Sequence, residues 1–286
     1  MDGEIKYALK QVAFYALIFT FAAWIAIPLI VSMLYAFAVP SEYYDPSKVI
    51  PLKFTPRHVE ILLITLGALD AIKNSIFVAL LTIAISFALG IPAGYAIAKF
   101  IFPGKDSVKL LIVALRMFPI PVMAIPLVVL YIKLHLIDTL LGVALAHTAM
   151  ALPFVILITS SIFAGVYKEY EEAALIFGLT RFGAFLKITL PLALPGLAAA
   201  AMFTFVISWN EVFVASVLTL YNRTLPAHVL LIMAGASGGA APDYYKFAAA
   251  FIMTLPAILF ILVARKYLIT MWGITCLLYT SPSPRD

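Results

Sequence analysis

No charged residue interrupts positions 11–41 of this chain. A helix of about 20 apolar residues crosses the hydrocarbon core of a bilayer, so this run alone is long enough to span one. Five further charge-free runs follow, at 74–98, 117–132, 139–167, 188–210 and 247–264. A soluble domain covers itself with roughly 25% charged residues. Here 12% are charged, 64% are hydrophobic, and the mean hydropathy is +1.09. That supply cannot keep a chain of 31.2 kDa in water, which excludes a soluble enzyme, a nucleic-acid binder and a disordered chain. The net charge of +5 is no phosphate-binding signal, because the Lys and Arg residues are scattered rather than clustered. The chain reads as an all-α, polytopic membrane protein.

Six spans are expected, at about 14–38, 74–98, 110–132, 140–165, 193–218 and 247–266. They form one transmembrane domain over 14–270, preceded by a cytoplasmic segment, 1–13. The first run far exceeds the roughly 7–15 residues of a signal-peptide core and reads as a retained helix. Residues 61–69 are too short to span and belong at the interface. Residues 224–242 carry Gly235, Gly238, Gly239, His228 and two prolines, so they read as an outer loop or a partly re-entrant segment. Six spans put both termini on one side, and Lys and Arg near span ends favour the cytoplasm. With the N-terminus inside, the inner segments hold ten (Lys6, Lys10, Lys99, Lys105, Lys109, Lys168, Arg181, Lys187, Arg265, Lys266) against seven outside. Prolines at 28, 92, 119, 121, 126, 153, 195 and 256 punctuate the spans. Each removes a helix hydrogen bond, which suits a bundle that rearranges and equally fits the ordinary proline content of membrane helices.

The inner segment 168–191 is the informative one. Glu169, Glu171 and Glu172 favour a helix N-terminus, where unpaired amides are partly positive. Tyr170, Ala173, Ala174 and Phe177 recur at i, i+3, i+4 and i+7 as one apolar stripe. Gly178 is expected to break this helix, Thr180 to cap a second one, and Pro191 to end it. Phe182, Phe185 and Leu186 give the second helix its own apolar face. Such a pair must bury against the rest of the bundle or against another protein.

Glu172-Ala173-Ala174, followed by Gly178, Ile188, Leu190 and Pro191 at their present spacing, resembles the signature loop of ATP-binding-cassette importer permeases. Arg116-Met117-Phe118-Pro119, Ser208-Trp209-Asn210-Glu211 and Phe247-Ala248-Ala249-Ala250-Phe251 are similar to the carbohydrate branch, in its shorter, maltose-type permease chain. The resemblance covers about residues 10–275. It implies that Glu172, Ala173, Ala174, Gly178, Ile188, Leu190 and Pro191 couple the chain to an ATPase subunit. It further implies a second permease chain, two ATP-binding-cassette subunits that hold ATP and Mg, a solute-binding protein outside the cell membrane, and a di- or oligosaccharide as cargo. The alternatives are a permease for another solute such as a phosphate ester, or an ion-coupled secondary transporter.

Asn210 and Glu211 are placed within span five, where polar groups mark either a substrate path or helix–helix hydrogen bonding. Arg116 either snorkels to the headgroups or pairs across helices; all three are pathway candidates. His147 reads as an interior histidine. His58, His135, His147 and His228 have no metal-ligand spacing, and no catalytic residue or metal site is expected. No G-x-x-x-x-G-K-[ST] motif occurs, so nucleotide must be held by partners. Residues 276–286, with the single cysteine Cys276, fit neither the family's tail nor a membrane segment and read as foreign sequence.

Overall fold

The computed structural model describes residues 2–45, 47, 50–117, 119–235 and 242–277. Its helices, in chain order, are α1 (Asp2–Ala36), α2 (Pro40–Tyr43), α3 (Arg57–Glu60), α4 (Ala68–Lys99), α5 (Lys105–Leu115), α6 (Ile120–Lys133), α7 (Leu140–Ala164), α8 (Lys168–Ile176), α9 (Arg181–Ala184), α10 (Leu190–Trp209), α11 (Phe213–Leu218), α12 (Leu225–Met233) and α13 (Asp243–Leu277). Wider π-turns occupy Ile61–Thr65 and Phe185–Thr189. Among the described residues there is no strand, only one antiparallel bridge between Ala38 and Phe54.

Among the described residues, four stretches are long and apolar enough to cross a membrane: Leu9–Ala36, Ala68–Lys99, Leu140–Ala164 and Arg181–Trp209. Span three is not one straight helix. α5 and α6 meet at 89°, because Pro119 sits extended (φ −71°, ψ 113°) and Pro121 opens the next helix. Neither proline can donate an amide to a preceding turn. Span five also departs from expectation. Pro191 does not end a helix; α9, the π-turn and α10 run continuously as one apolar stretch, Arg181–Trp209. The π-turn lets Leu190 N–H reach back five residues to Phe185 O, and Pro191 follows directly, where the widened turn accommodates its missing donor. The helix stops at Trp209, and 210–212 separate it from α11. The sixth expected span lies inside α13. Residues 224–242 include the short helix α12, and positions 236–241 lie outside the described residues. So do 278–286, most of the tail read as foreign.

The chain divides into two compact units, Met1–Ala68 with Leu231–Leu255, and Leu69–Leu230 with Pro256–Asp286. In the first, Val39 N–H bonds Lys53 O and Thr55 N–H bonds Phe37 O, closing a loop around Glu42. That carboxylate is 3% exposed and accepts the amides of Leu52 and Lys53, which compensates for its burial.

The second unit holds the elements of interest. α4 and α7 touch at Gly90 and Gly94. A Cβ on Gly94 would fall 2.0 Å from Thr159 Oγ1 and 2.8 Å from the backbone nitrogen of Ser160. Thr159 Oγ1, which lies 2.7 Å from Val155 O of its own helix, is also 3.1 Å from Gly90 O, so a polar group sits where the two backbones approach most closely. Phe163, Ala193 and Leu197 form a core against which Tyr95, Phe185 and Leu190 pack. Thr139 caps α7 by accepting from Gly142 N at 3.0 Å. Asp138, with φ +56°, accepts the amides of Leu220, Tyr221 and Asn222 and so ties the α6–α7 turn to the segment after α11. Burial pushes its carboxyl up, and those three amides with Arg223 outweigh this and hold it below the usual carboxylate range.

Candidate functional site

α8 has one face fixed and one face free. The fixed face centres on Glu171. Its carboxylate takes Tyr95 Oη at 2.9 Å, Thr189 Oγ1 at 2.7 Å and Lys99 Nζ at 3.2 Å. Lys99 also donates to Val166 O at 2.7 Å. One acid thus joins the end of α4, the start of α8 and the π-turn. Burial raises the Glu171 carboxyl, but the hydrogen bonds from Thr189, Tyr95 and Lys99, with the Lys99 charge, prevail and hold it below its ordinary value. Ala174 lies on the same helix, 6% exposed.

The free face carries Ile176 and Phe177, 84% and 88% exposed, with Phe182 at 70%. Ala173 and Glu172 are exposed too, and Glu172 pairs with Lys168 on its own helix, at 2.8 Å. Gly178 adopts φ +87° with nothing within 4 Å of a Cβ position. Glycine is required there for the left-handed turn and not for space. Thr180 accepts from Gly183 N and caps α9. The turn is therefore well defined, and it leaves large apolar side chains uncovered by the rest of the chain, as at surfaces that meet a partner or a membrane.

A second polar cluster lies at the end of α10. The helix stop leaves the first amides of α11 without helical partners. Glu211 satisfies two of them, accepting from Val214 N at 2.9 Å and Ala215 N at 3.0 Å. Its Oε2 also faces His147 Nε2 of α7 at 3.2 Å, within ion-pair distance but not aligned as a hydrogen bond. His147 Nδ1 lies 2.8 Å from Ser208 Oγ. His147 is fully buried and Ser208 is 4% exposed.

Residues 89–270 match the family described as the binding-protein-dependent transport system inner membrane component. The chain belongs to that family. It is 33% identical over 201 residues to the trehalose transport system permease protein SugB of Mycobacterium tuberculosis, covering 70% of this chain and 73% of that one. It is 34% identical over 203 residues to the osmoprotective compounds uptake permease protein GgtD of Synechocystis, covering 70% and 68%. Its fold matches a chain of a bacterial ABC transporter involved in the import of alginate, with a TM-score of 0.72 at 20% identity, over 91% of this chain and 96% of that one.

In this permease, Glu172, Ala173 and Gly178 lie on the free face of α8 or its turn, and Ala174 on the fixed face. Ile188 falls in the half-buried π-turn, Leu190 packs on the Phe163 core, and Pro191 is exposed in the first turn of α10. Asn210 is exposed at the end of α10, its Nδ2 donating to Val206 O at 3.0 Å. Glu211 does not lie inside a helix; it stands in the break, with both oxygens engaged. Arg116 ends α5 with its guanidinium 5.2 Å from the Phe154 ring of α7, a cation–π contact across helices. The linear pattern conceals two of these features. Glu171 is there one of several acids at a helix start. His147 and Ser208 stand as separate interior polar residues, because nothing in one-dimensional spacing brings 147 beside 208. The Gly90–Gly94 pair, four residues apart, is the visible signal of close helix contact in the sequence.

Proposed function

We propose that this permease forms one half of the sugar pathway of an ATP-driven, binding-protein-dependent importer, and that α8 with the turn at Gly178 is its coupling element. The observation that carries this is the split of α8: Glu171 locks it to α4 and to the π-turn that leads into α10, while Ile176 and Phe177 stand exposed. A firmly held lever with an uncovered apolar tip suits a cleft in an ATPase subunit, which would hold the ATP and Mg that this chain has no motif to bind. Closure of two such subunits would tilt the lever, and the Glu171 contacts would pass the tilt to α4 and the α10 span. A second permease chain completes the pathway, and a loaded solute-binding protein biases the outward-facing state through contacts made only there. Six spans with both termini inside the cell fit this arrangement, the bent α5–α6 pair and α13 supplying the two beyond the four continuous ones. Similarity to a trehalose permease supports a di- or oligosaccharide cargo. Asn210, exposed at the end of α10, suits a sugar hydroxyl.

The test is ATPase stimulation of the reconstituted complex with its binding protein, over trehalose, maltose, maltotriose, glycerol phosphate and amino acids. Stimulation by a di- or oligosaccharide is expected. Stimulation only by a phosphate ester or an amino acid would overturn the sugar assignment.

A further inference from the structure

The break after Trp209 is held by three residues that no coupling role uses. Glu211 caps α11 through Val214 N and Ala215 N, so the acid fixes where α11 begins. His147 reaches from α7 to the same carboxylate on one side and to Ser208, just before the break, on the other. Nδ1 is within hydrogen-bond distance of the Ser208 hydroxyl, and Nε2 faces the Glu211 carboxylate at 3.2 Å. The same three residue types can activate a serine elsewhere. Here Ser208 is 4% exposed, which shuts out the water and acyl group such chemistry requires. The cluster therefore holds shape. Trp209, 1% exposed and stacked on Phe205 at 5.7 Å, fixes the last turn of α10, and Asn210 is the next residue, exposed.

We propose that His147 is a positioning residue: with Ser208 and Glu211 it forms a buried latch that sets the break between α10 and α11 and so places Asn210. This rests on the reading that Asn210 faces the sugar pathway, and the experiment separates the two. In the assembled importer, with the single cysteine removed by Cys276→Ser, Asn210→Cys is labelled with a membrane-impermeant maleimide. Adding His147→Ala should change the labelling rate about tenfold, the weight of one buried hydrogen bond such as that to Ser208. His147→Gln, whose amide offers a donor and an acceptor, should return it to within about threefold. An unchanged rate in His147→Ala overturns the latch. If that variant does not reach the membrane, His147→Gln and Ser208→Ala are read instead, and labelling unchanged in both overturns it equally. A rate that responds to His147 but not to trehalose with its binding protein keeps the latch and removes Asn210 from the pathway.

Discussion

At Glu171 a single carboxylate, with its side chain 14% exposed, gathers three donors from two other elements. Replacing it with Gln keeps the size and removes the charge, so Glu171→Gln should cost about 1.5–3 kcal/mol, the range for hydrogen bonds to a charged group. Thermal unfolding in detergent measures this. Because the folded carboxyl titrates below its unfolded value of 4.5, its contribution is complete above that pH and is lost as pH falls through the lower folded value. The difference between wild type and Glu171→Gln should shrink over that acid window and stay constant above it. Gly94→Ala drives a Cβ into Thr159 and into the Ser160 backbone, and should cost about 1–3 kcal/mol as overpacking in the same assay. These residues are unequally legible in the sequence. The spacing of Gly90 and Gly94 is a signal that sequence reading can use, whereas Glu171 is one of three similar acids, and only the fold shows which one faces Lys99.

Among the elements, α8 and its turn are the most readable, since acids start the helix, Gly178 stops it and Thr180 caps the next, all local effects. Gly178→Ala meets no neighbour, so its cost is that of a left-handed backbone alone, about 1–2 kcal/mol. It should appear as faster proteolysis of the turn, with the membrane-embedded part intact. The spans containing proline are less readable. A charge-free run reports that a segment is apolar and says nothing of its axis, so the bend at Pro119 and the stop at Trp209 are hidden inside continuous hydropathy. Pro191 misleads in the opposite direction. A proline that looks like a terminator is absorbed by the π-turn before it and begins α10 instead. The polar cluster at the break needs tertiary contact between 147 and 208–211, which no periodicity encodes.

For the whole molecule, the scarcity of charge establishes membrane residence, the family match places the chain among importer components, and the proposed coupling rests on the two faces of α8. Coupling of this kind requires the uncovered apolar tip to be an interface. Ile176→Asp with Phe177→Asp should leave the chain in the membrane at wild-type amounts and lose the ATPase subunits on purification in mild detergent, by about tenfold or more when a central apolar anchor is destroyed. Transport itself is decided by uptake of labelled sugar into proteoliposomes, comparing the complete complex with the purified chain alone. Uptake should need ATP, the ATPase subunits and the binding protein, and should disappear with Phe177→Asp. Uptake by the chain alone, driven by an ion gradient and indifferent to Phe177→Asp, would contradict the coupling of this permease to an ATPase.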